Sequence, residues 1–266
     1  MIVRIGLNKI EKNMVGQKKK IKMNKVIVID GGNIQFRAIF AYRNNPNFPC
    51  AYMYLRMIMG YLKRLKVTPE DKIIIAQDYG SWRKEIDHTY KAQRKDYRES
   101  MEEKEWWDTR FKEFNDLYER LEYATPFHFV KIYKMEADDI GSVCCRYYKD
   151  SEVILISSDK DWEMLLTLPN VKIFSPVSKK FKNVPHPMKV LLDKIQGDVS
   201  DNLLTKPTTE MEYEKRKKIV NLLELPKNIE LLIREKLDKL IPKNLHIEKI
   251  PFKSVRAEFK KFYNKE

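Results

Sequence analysis

Acidic side chains recur where strand-like segments of the sequence end. The β-branched run KVIVID ends in Asp30, KIIIAQD ends in Asp78, and EVILISSD ends in Asp159. Further acids follow in EADD, DKD and GDVSD, and the full set is Asp30, Asp78, Glu136, Asp138, Asp139, Asp159, Asp161, Asp198 and Asp201. Because α/β folds bind ligands outside the carboxyl ends of their strands, we expect these carboxylates to converge there.

Carboxylates that converge without a cation repel one another, by roughly 4 kcal/mol per close pair at an intermediate dielectric. Oxygen ligands without histidine or cysteine favour a hard divalent ion, and a cluster of this size has room for two. Two such ions about 3.5 to 4 Å apart can hold a phosphodiester, one activating water and the other stabilising the leaving oxygen. The acids therefore predict metal-assisted hydrolysis with two Mg²⁺ ions, for which Mn²⁺ can substitute.

Helix capping is the alternative interpretation of single acids in this set. The EADD acids and Asp201 could each cap a helix. An isolated D-x-D spacing such as that of Asp159 and Asp161 also arises by chance in a chain this acidic. Capping does not explain the whole set, so the metal hypothesis is favoured.

A basic and aromatic segment follows Asp78. Its aromatic residues are Trp82, Tyr90 and Tyr97, and they alternate with the cations Arg83, Lys84, Lys91, Arg94, Lys95 and Arg98. Cations neutralise phosphates and aromatic rings stack on unpaired bases, a combination typical of surfaces that bind single strands. A solvated helix with ion pairs four residues apart is the alternative. The position directly after a predicted metal ligand favours the nucleic-acid interpretation.

Strand-like and helix-like segments alternate from Lys25 onward. The stretch from Tyr52 to Leu65 carries an aromatic and methionine stripe, and residues 140–148 place Ile140 and Val143 on one helical face. This alternation predicts an α/β fold: a mostly parallel twisted sheet with helices on both faces, followed by a small C-terminal helical region.

The charge balance favours a polyanionic partner. Among 266 residues, 52 Lys and Arg oppose 38 Asp and Glu, a net charge of +14, which suits nucleic acid; a lysine-rich solvated surface is the alternative. There is no apolar run of 18 or more residues, residues 1–22 lack a signal-peptide core, and Cys50, Cys144 and Cys145 have no metal-type spacing. We expect a soluble monomer without membrane association, in the cytoplasm of a bacterium or phage-infected host.

Five motifs, in order, resemble those of the 5'-nuclease or flap endonuclease superfamily, whose catalytic domain is PIN-like. The first strand and helix of that superfamily are similar to VIVIDGGNIQFRAIF, and its arch, with a Tyr-Lys-x-x-Arg signature, is similar to SWRKEIDHTYKAQRK. Its remaining acidic motifs resemble MEADDIGS, ISSDKDWEMLL and IQGDVSDN. The resemblance covers roughly Lys25 to Asn202, and within the superfamily the chain looks most like the ribonuclease H group of T-even phages.

The resemblance implies a role for each matched residue. The first metal would be surrounded by Asp30, Asp78, Asp139 and Asp159, and the second, partly through waters, by Glu136, Asp138, Asp161, Asp198 and Asp201; how the acids divide between the ions is left open. Lys91 and Arg83 match arch residues that contact the scissile phosphate, where they would stabilise charge in the transition state. Arg37, Tyr90 and Arg94 match substrate-contacting positions of the family, and the basic segment adds Lys95 as a predicted substrate contact.

The C-terminal part departs from the superfamily pattern. Most members follow the Gly-Asp-x-x-Asp-Asn motif with a glycine-rich hairpin, whereas all eight glycines of this chain lie at or before Gly197. The usual duplex-binding module is therefore absent or rebuilt. We expect short helices separated at Pro226 and Pro242, then a final helix near residues 254–263. The duplex contacts predicted from charge are Lys215, Arg216, Lys217 and Lys218, with a solvated helix face as the alternative.

The sequence patterns and the resemblance together predict three parts. Residues 1–22 form a basic extension that we expect to be disordered, residues 23–197 a PIN-like catalytic domain with a helical arch at about 80–115, and residues 198–266 a C-terminal helical DNA-binding region.

The expected activity is that of a structure-specific 5'-nuclease: 5'-to-3' exonuclease, flap endonuclease and ribonuclease H-type primer removal in phage or prophage replication. Expected partners are DNA with a 5' flap, nick or single-stranded end, RNA:DNA hybrids and, from the family, a single-strand-binding protein and a sliding clamp. The alternatives are a non-catalytic branched-DNA-binding protein and a PIN-type ribonuclease.

Overall fold

The computed structural model describes residues 24–93 and 103–263. The strands are β1 (Lys25–Asp30), β2 (Lys72–Gln77), β3 (His128–Lys131), β4 (Glu152–Ile156), β5 (Val171–Ser175) and β6 (Lys180–Phe181). The α-helices are α1 (Gly31–Asn44), α2 (Cys50–Arg64), α3 (Arg83–Ile86), α4 (Lys104–Ala124), α5 (Ala137–Tyr147), α6 (Met188–Gln196), α7 (Glu210–Val220), α8 (Lys227–Asp238) and α9 (Lys253–Tyr263). Short 3₁₀ helices cover Asp161–Thr167, Val199–Asp201 and Ile247–Lys249. Within the described ranges, no helix combines the length and apolar character that a membrane span requires.

The strands form one sheet in the order β3-β2-β1-β4-β5-β6. Strands β1 to β5 pair in parallel, and β6 runs antiparallel to β5. Asp30 is in register with Ala76 of β2, and Ile29 with Ile156 of β4. The carboxyl ends of β1, β2 and β4 therefore meet at one edge, and the predicted mostly parallel sheet is confirmed.

Both faces of the sheet are covered by helices, as predicted. Val26 and Val28 of β1 join a core with residues of α5, α6, α7 and α8. Ile27 and Ile29 point to the opposite face and join a core with residues of α1, α2, α4 and α9. Burial on both faces explains why the strand is an uninterrupted β-branched run. The C-terminal helices contribute to both cores, α7 and α8 to one and α9 to the other.

Two close backbone approaches depend on glycine. A Cβ atom at Gly31 would lie 2.8 Å from the carbonyl oxygen of Ala76, and one at Gly141 would lie 2.6 Å from the ring of Trp162. The first contact lets α1 begin directly beside β2. The second brings α5 against the 3₁₀ helix that begins at Asp161. Both contacts position acid-bearing segments, because α1 follows Asp30 and α5 follows Glu136.

Candidate active site

A pocket of about 220 Å³ opens at the carboxyl edge of the sheet. The predicted acids that line it are Asp30, Asp78, Glu136, Asp138, Asp159 and Asp161. Lys91 and Ser200 also line the pocket, so the turn that carries Asp198 and Asp201 reaches its rim. A larger cavity of about 550 Å³, between α1, α2 and α4, contains none of the predicted site residues. Six of the nine predicted acids therefore converge at this pocket, whereas Asp139, Asp198 and Asp201 are not among its lining residues.

Three of these acids, Asp30, Asp78 and Asp159, are oriented by neutral donors. The donors are the backbone N–H groups of Asn33, Ala137 and Asp161 and the hydroxyl of Ser157, at 2.8 to 3.0 Å. Within residues 24–93 and 103–263, no lysine or arginine forms an ion pair with any of the three. These carboxylates are held in place without an internal cation.

Several carboxylates that line the pocket have raised pKa values. Burial raises the pKa of Asp30 to about 7, and the neighbouring carboxylates of Asp78 and Asp159 raise it as well. Burial also raises the pKa of Asp78, and it raises that of Asp138 well above its ordinary value despite the nearby Arg83. A raised pKa means that the negatively charged form of a carboxylate is destabilised. A cation bound among these carboxylates would offset that destabilisation.

Asp138 tests whether a metal fits this pocket. Its Oδ1 is buried without a hydrogen-bond partner among the described residues, and the nearest cationic group, Nη1 of Arg83, lies 3.9 Å away. Carboxylate oxygens of Glu136, Asp138 and Asp139 approach within 4.8 Å of one another. An unpartnered buried oxygen amid further carboxylates is suited to a hard divalent ion. The residues present fit such an ion.

The remaining acids, Asp161, Asp198 and Asp201, surround the ammonium of Lys194. Its Nζ lies 2.7 Å from Oδ2 of Asp201 and 2.9 Å from Oδ2 of Asp198, and it also forms an ion pair with Asp161. Burial by itself would lower the pKa of Lys194, but Asp161 and Asp201 raise it above its ordinary value.

Sequence reasoning did not find Lys194. The residue is only 6% exposed and lies on the buried face of α6 together with Leu191 and Ile195. A lysine on the apolar face of a helix, four residues before an acid of the predicted site, was the available signal.

A sequence profile described as "5'-3' exonuclease, N-terminal resolvase-like domain" matches residues 25–193, more than half of the chain. The chain belongs to this 5'-3' exonuclease family. The predicted membership of the 5'-nuclease superfamily is thereby confirmed.

Two solved structures share the fold. The T5 5'-exonuclease with divalent zinc ions bound is 20% identical, and the T5 D15 flap endonuclease in a complex with DNA and metal ions is 24% identical. Each aligns with a TM-score of 0.56, over 90% of this chain and 97% of the other. A curated relative, the ribonuclease H of Enterobacteria phage T4, is 29% identical over 161 residues, which are 57% of this chain and 52% of the relative. That match therefore spans about half the length of the relative.

Lys91, which belongs to the segment predicted to form the arch, lines the pocket. Its Nζ is 2.6 Å from Oε1 of Glu136 and 3.7 Å from Oδ1 of Asp201. Its backbone has a φ of 53°, in the left-handed region that a lysine seldom adopts, and its N–H donates to the carbonyl oxygen of Asp201 at 3.3 Å. Backbone strain of this kind concentrates at functional sites. Lys91 is therefore a candidate for contact with a substrate phosphate.

Arg83 lies in the interior rather than over the pocket. It is 1% exposed, and its nitrogens donate to Oε2 of Glu136 at 2.8 Å, to Oδ1 of Asp139 at 2.7 Å and to the carbonyl oxygen of Ile219 at 2.6 Å. The predicted contact between Arg83 and the scissile phosphate does not fit this geometry, because its guanidinium is turned toward buried acceptors. Burial would raise the pKa of Glu136, yet Arg83 and Lys91 lower it to about 2. The geometry of Arg83 therefore favours a role in holding Glu136 and Asp139 in place.

Asp139 belongs to the acidic cluster with Glu136 and Asp138, but its surroundings favour a supporting position over its predicted place beside the first metal. The side chain is fully buried, and its oxygens accept hydrogen bonds from Arg83, from the indole N–H of Trp82 and from the backbone N–H of Glu136. Asp138, predicted beside the second metal, faces the pocket instead. The first turn of α5 directs these adjacent side chains differently: Asp139 points into the interior and Asp138 points toward the pocket.

Tyr90 and Arg37, both predicted to contact the substrate, form hydrogen bonds inside the protein instead. Tyr90 is 3% exposed and its hydroxyl donates to Oε2 of Glu136 at 3.1 Å, so its ring offers no face on which a base could stack. Arg37 is half-buried and donates to the carbonyl oxygen of Pro176 at 3.4 Å. Arg94 and Lys95 lie outside the described residues.

The four basic residues of α7 are in different environments. Lys215 pairs with Asp87 at 2.8 Å, and Lys217 pairs with Glu214 at 3.4 Å. Arg216 donates to the carbonyl oxygens of Ile195 and Thr205, which ties α7 to the turn carrying Asp198 and Asp201. Arg216 therefore does not fit the predicted role of a duplex contact, whereas Lys218 is exposed and stays a candidate.

Proposed function

We propose that this chain is a metal-dependent, structure-specific 5'-nuclease that hydrolyses phosphodiesters of DNA and of RNA:DNA hybrids. The observation that carries the proposal is the group of Asp30, Asp78, Asp138 and Asp159 around one pocket at the sheet edge. Membership of the 5'-3' exonuclease family supports the polarity. The ribonuclease H relative and the T5 complex with DNA support these substrates.

The proposed cofactor is Mg²⁺, in two ions, with Mn²⁺ as a substitute. The first ion would be held by Asp30, Asp78, Asp138 and Asp159, and the second held or oriented by Glu136, Asp161, Asp198 and Asp201. When bound, such ions supply charge neutralisation at the phosphate and activation of water.

The residues of the chain itself would bind and orient the substrate. Lys91 presents its ammonium to the pocket, where it can donate to a nonbridging phosphate oxygen. Glu136 holds that ammonium, and Arg83 in turn holds Glu136. The proposed substrates are DNA with a 5' flap, a nick or a single-stranded end, and hybrids such as primers in phage or prophage replication. The C-terminal helices, through Lys218, would bind the duplex.

A cleavage assay tests the proposal. Purified protein with Mg²⁺ should release short 5'-labelled products from a flap, a nicked duplex and an RNA:DNA hybrid, and EDTA should prevent this. Asp159→Asn should abolish cleavage while flap binding persists in an electrophoretic mobility assay. Asp193→Asn, an exposed acid of α6 that pairs only with Lys189 among the described ion pairs, should cleave like wild type.

Each failure has its own interpretation. Flap binding without cleavage in either Mg²⁺ or Mn²⁺ would contradict the proposal and favour a branched-DNA-binding protein. Cleavage restricted to single-stranded RNA would contradict it in favour of a PIN-type ribonuclease.

A further inference from the structure

Two groups among the predicted metal ligands differ in their electrostatics, apart from Glu136, Asp138 and Asp139, which lie beside Arg83. Asp30, Asp78 and Asp159 form no ion pair with a lysine or arginine in the described part of the chain. By contrast, Asp161, Asp198 and Asp201 all pair with the ammonium of Lys194, and Asp201 also lies 3.7 Å from that of Lys91. One group is open to an external cation, and the other already contains an internal one.

Lys194 is built into that position. Its side chain is 7% exposed, the side chain of Asp201 is 4% exposed, and the Nζ lies 2.7 Å from Oδ2 of Asp201 and 2.9 Å from Oδ2 of Asp198. An ammonium has three N–H donors, and three carboxylates surround this one. Each N–H of this buried ammonium therefore has a carboxylate within reach. An ordinary ion pair on the surface differs from it, because such a pair contributes little to stability.

Lys189, on the same helix, provides the contrast. It pairs with Asp193 at 2.5 Å, with the two side chains 65% and 62% exposed. None of its ion pairs or side-chain hydrogen bonds in the described part of the chain involves a predicted metal ligand. The two lysines are five positions apart, so the helix turns Lys189 to solvent and Lys194 toward the acids.

We propose that Lys194 is an internal counterion of the second metal site, which holds Asp161, Asp198 and Asp201 together in the metal-free protein and must leave before a divalent ion binds them. An ammonium within hydrogen-bond distance of these oxygens and a metal ion coordinated by the same oxygens cannot share that volume. The inference rests on the proposed function, since it takes these acids as ligands of the second ion. It implies ordered loading: the first ion binds tightly and the second weakly.

Metal titration by calorimetry, without nucleic acid, tests the competition. Lys194→Met keeps the aliphatic length and removes the charge, so it should bind the second Mg²⁺ roughly 10- to 100-fold more tightly, the range expected when a charge-assisted contact no longer competes. Affinity for the first ion should be unchanged, and Lys189→Met should behave like wild type at both sites. A folded Lys194→Met protein whose second-ion affinity is unchanged or weaker would overturn the proposal.

A second measurement uses the wild-type chain, in case Lys194→Met does not fold. In protein labelled with ¹⁵N-lysine, the ammonium signal of Lys194 is assigned by its loss in Lys194→Arg. That signal should be protected from solvent exchange in the metal-free protein and should shift with the isotherm of the second ion. A signal that stays unchanged through saturation with two ions would show that the ammonium does not leave, and the proposal would fail.

These results separate this inference from the proposed function. If the protein bound two ions with the predicted competition but cleaved no substrate, the counterion role of Lys194 would be supported and the nuclease proposal would be contradicted. If the protein cleaved its substrates but Lys194→Met left the affinity for the second ion unchanged, the nuclease proposal would be supported and the counterion role contradicted.

Discussion

The guanidinium of Arg83 holds the carboxylate of Asp139 through two parallel hydrogen bonds, Nη1 to Oδ2 at 3.0 Å and Nη2 to Oδ1 at 2.7 Å. Both side chains are buried, and the same Nη1 also reaches Glu136 at 2.8 Å. This pair lies behind the pocket and fixes the start of α5, from which Asp138 faces the pocket. Arg83 and Asp139 both match motifs of the family, and both therefore support the site from the interior.

Replacement of Arg83 by methionine should destabilise the protein strongly. It would leave Glu136 and Asp139 as buried carboxylates without their main cation, and breaking a buried pair from one side costs about 3–5 kcal/mol. Urea denaturation of the metal-free protein measures this change. As a control, Arg43→Met removes an exposed pair with Glu103 and should cost less than about 1 kcal/mol. Equal losses for the two variants would contradict the buried role of Arg83.

Substitutions at the adjacent acids should separate metal binding from stability. Asp138→Asn should weaken binding of the first divalent ion by about tenfold or more, since it replaces a charged oxygen ligand by a neutral one, and should preserve the free energy of unfolding. Asp139→Asn should instead lower that free energy by about 2–3 kcal/mol, because it weakens a buried charge-assisted pair. Calorimetric metal titration and urea denaturation of both variants check the division, and the reverse pattern would refute it.

Lys91 should act on turnover rather than on binding. Lys91→Ala is expected to lower kcat on a 5'-flap substrate by roughly 10²- to 10³-fold, the range typical for loss of one donor to developing charge, with little change in KM. Lys84→Ala, an exposed lysine of the same segment, is the matched control and should keep the wild-type kcat. A rise in KM at constant kcat would mean that Lys91 only binds the substrate.

Asp30 should make the stability of the metal-free protein fall as the pH rises. Its folded pKa of about 7 lies above the ordinary value of 3.8, so between these values the native state keeps a proton that the unfolded chain has lost. This stabilisation is complete below about pH 4 and is lost as the pH rises through 7, for a total of about 4 kcal/mol at most. Urea denaturation in EDTA should show wild type losing stability relative to Asp30→Asn across this window. Parallel pH profiles for the two proteins would argue against a raised pKa.

Several parts of the architecture could be predicted from local patterns. The run KVIVID predicted a strand buried on both faces, and β1 is covered by a helical core on each side. Acids at the ends of KIIIAQD and EVILISSD predicted convergence, because parallel strands bring their carboxyl ends to one edge. The predicted helix near residues 254–263 occurs as α9, but the core to which it belongs was not predictable, since an amphipathic helix does not specify its partner.

The sequence by itself determined the chemistry that the site can hold: which strands end in carboxylates, the absence of histidine and cysteine among them, and the lysine that follows Tyr90. Only the tertiary structure decided which side chains face the pocket. Adjacent residues of a helix point about 100° apart, so Asp138 faces the pocket while Asp139 faces Arg83. Long-range packing likewise buries Arg83 and Tyr90, which were predicted to contact the substrate, and Lys194, which the sequence analysis did not identify. A buried charge is stable only where oppositely charged partners from distant segments converge, and that convergence depends on the fold.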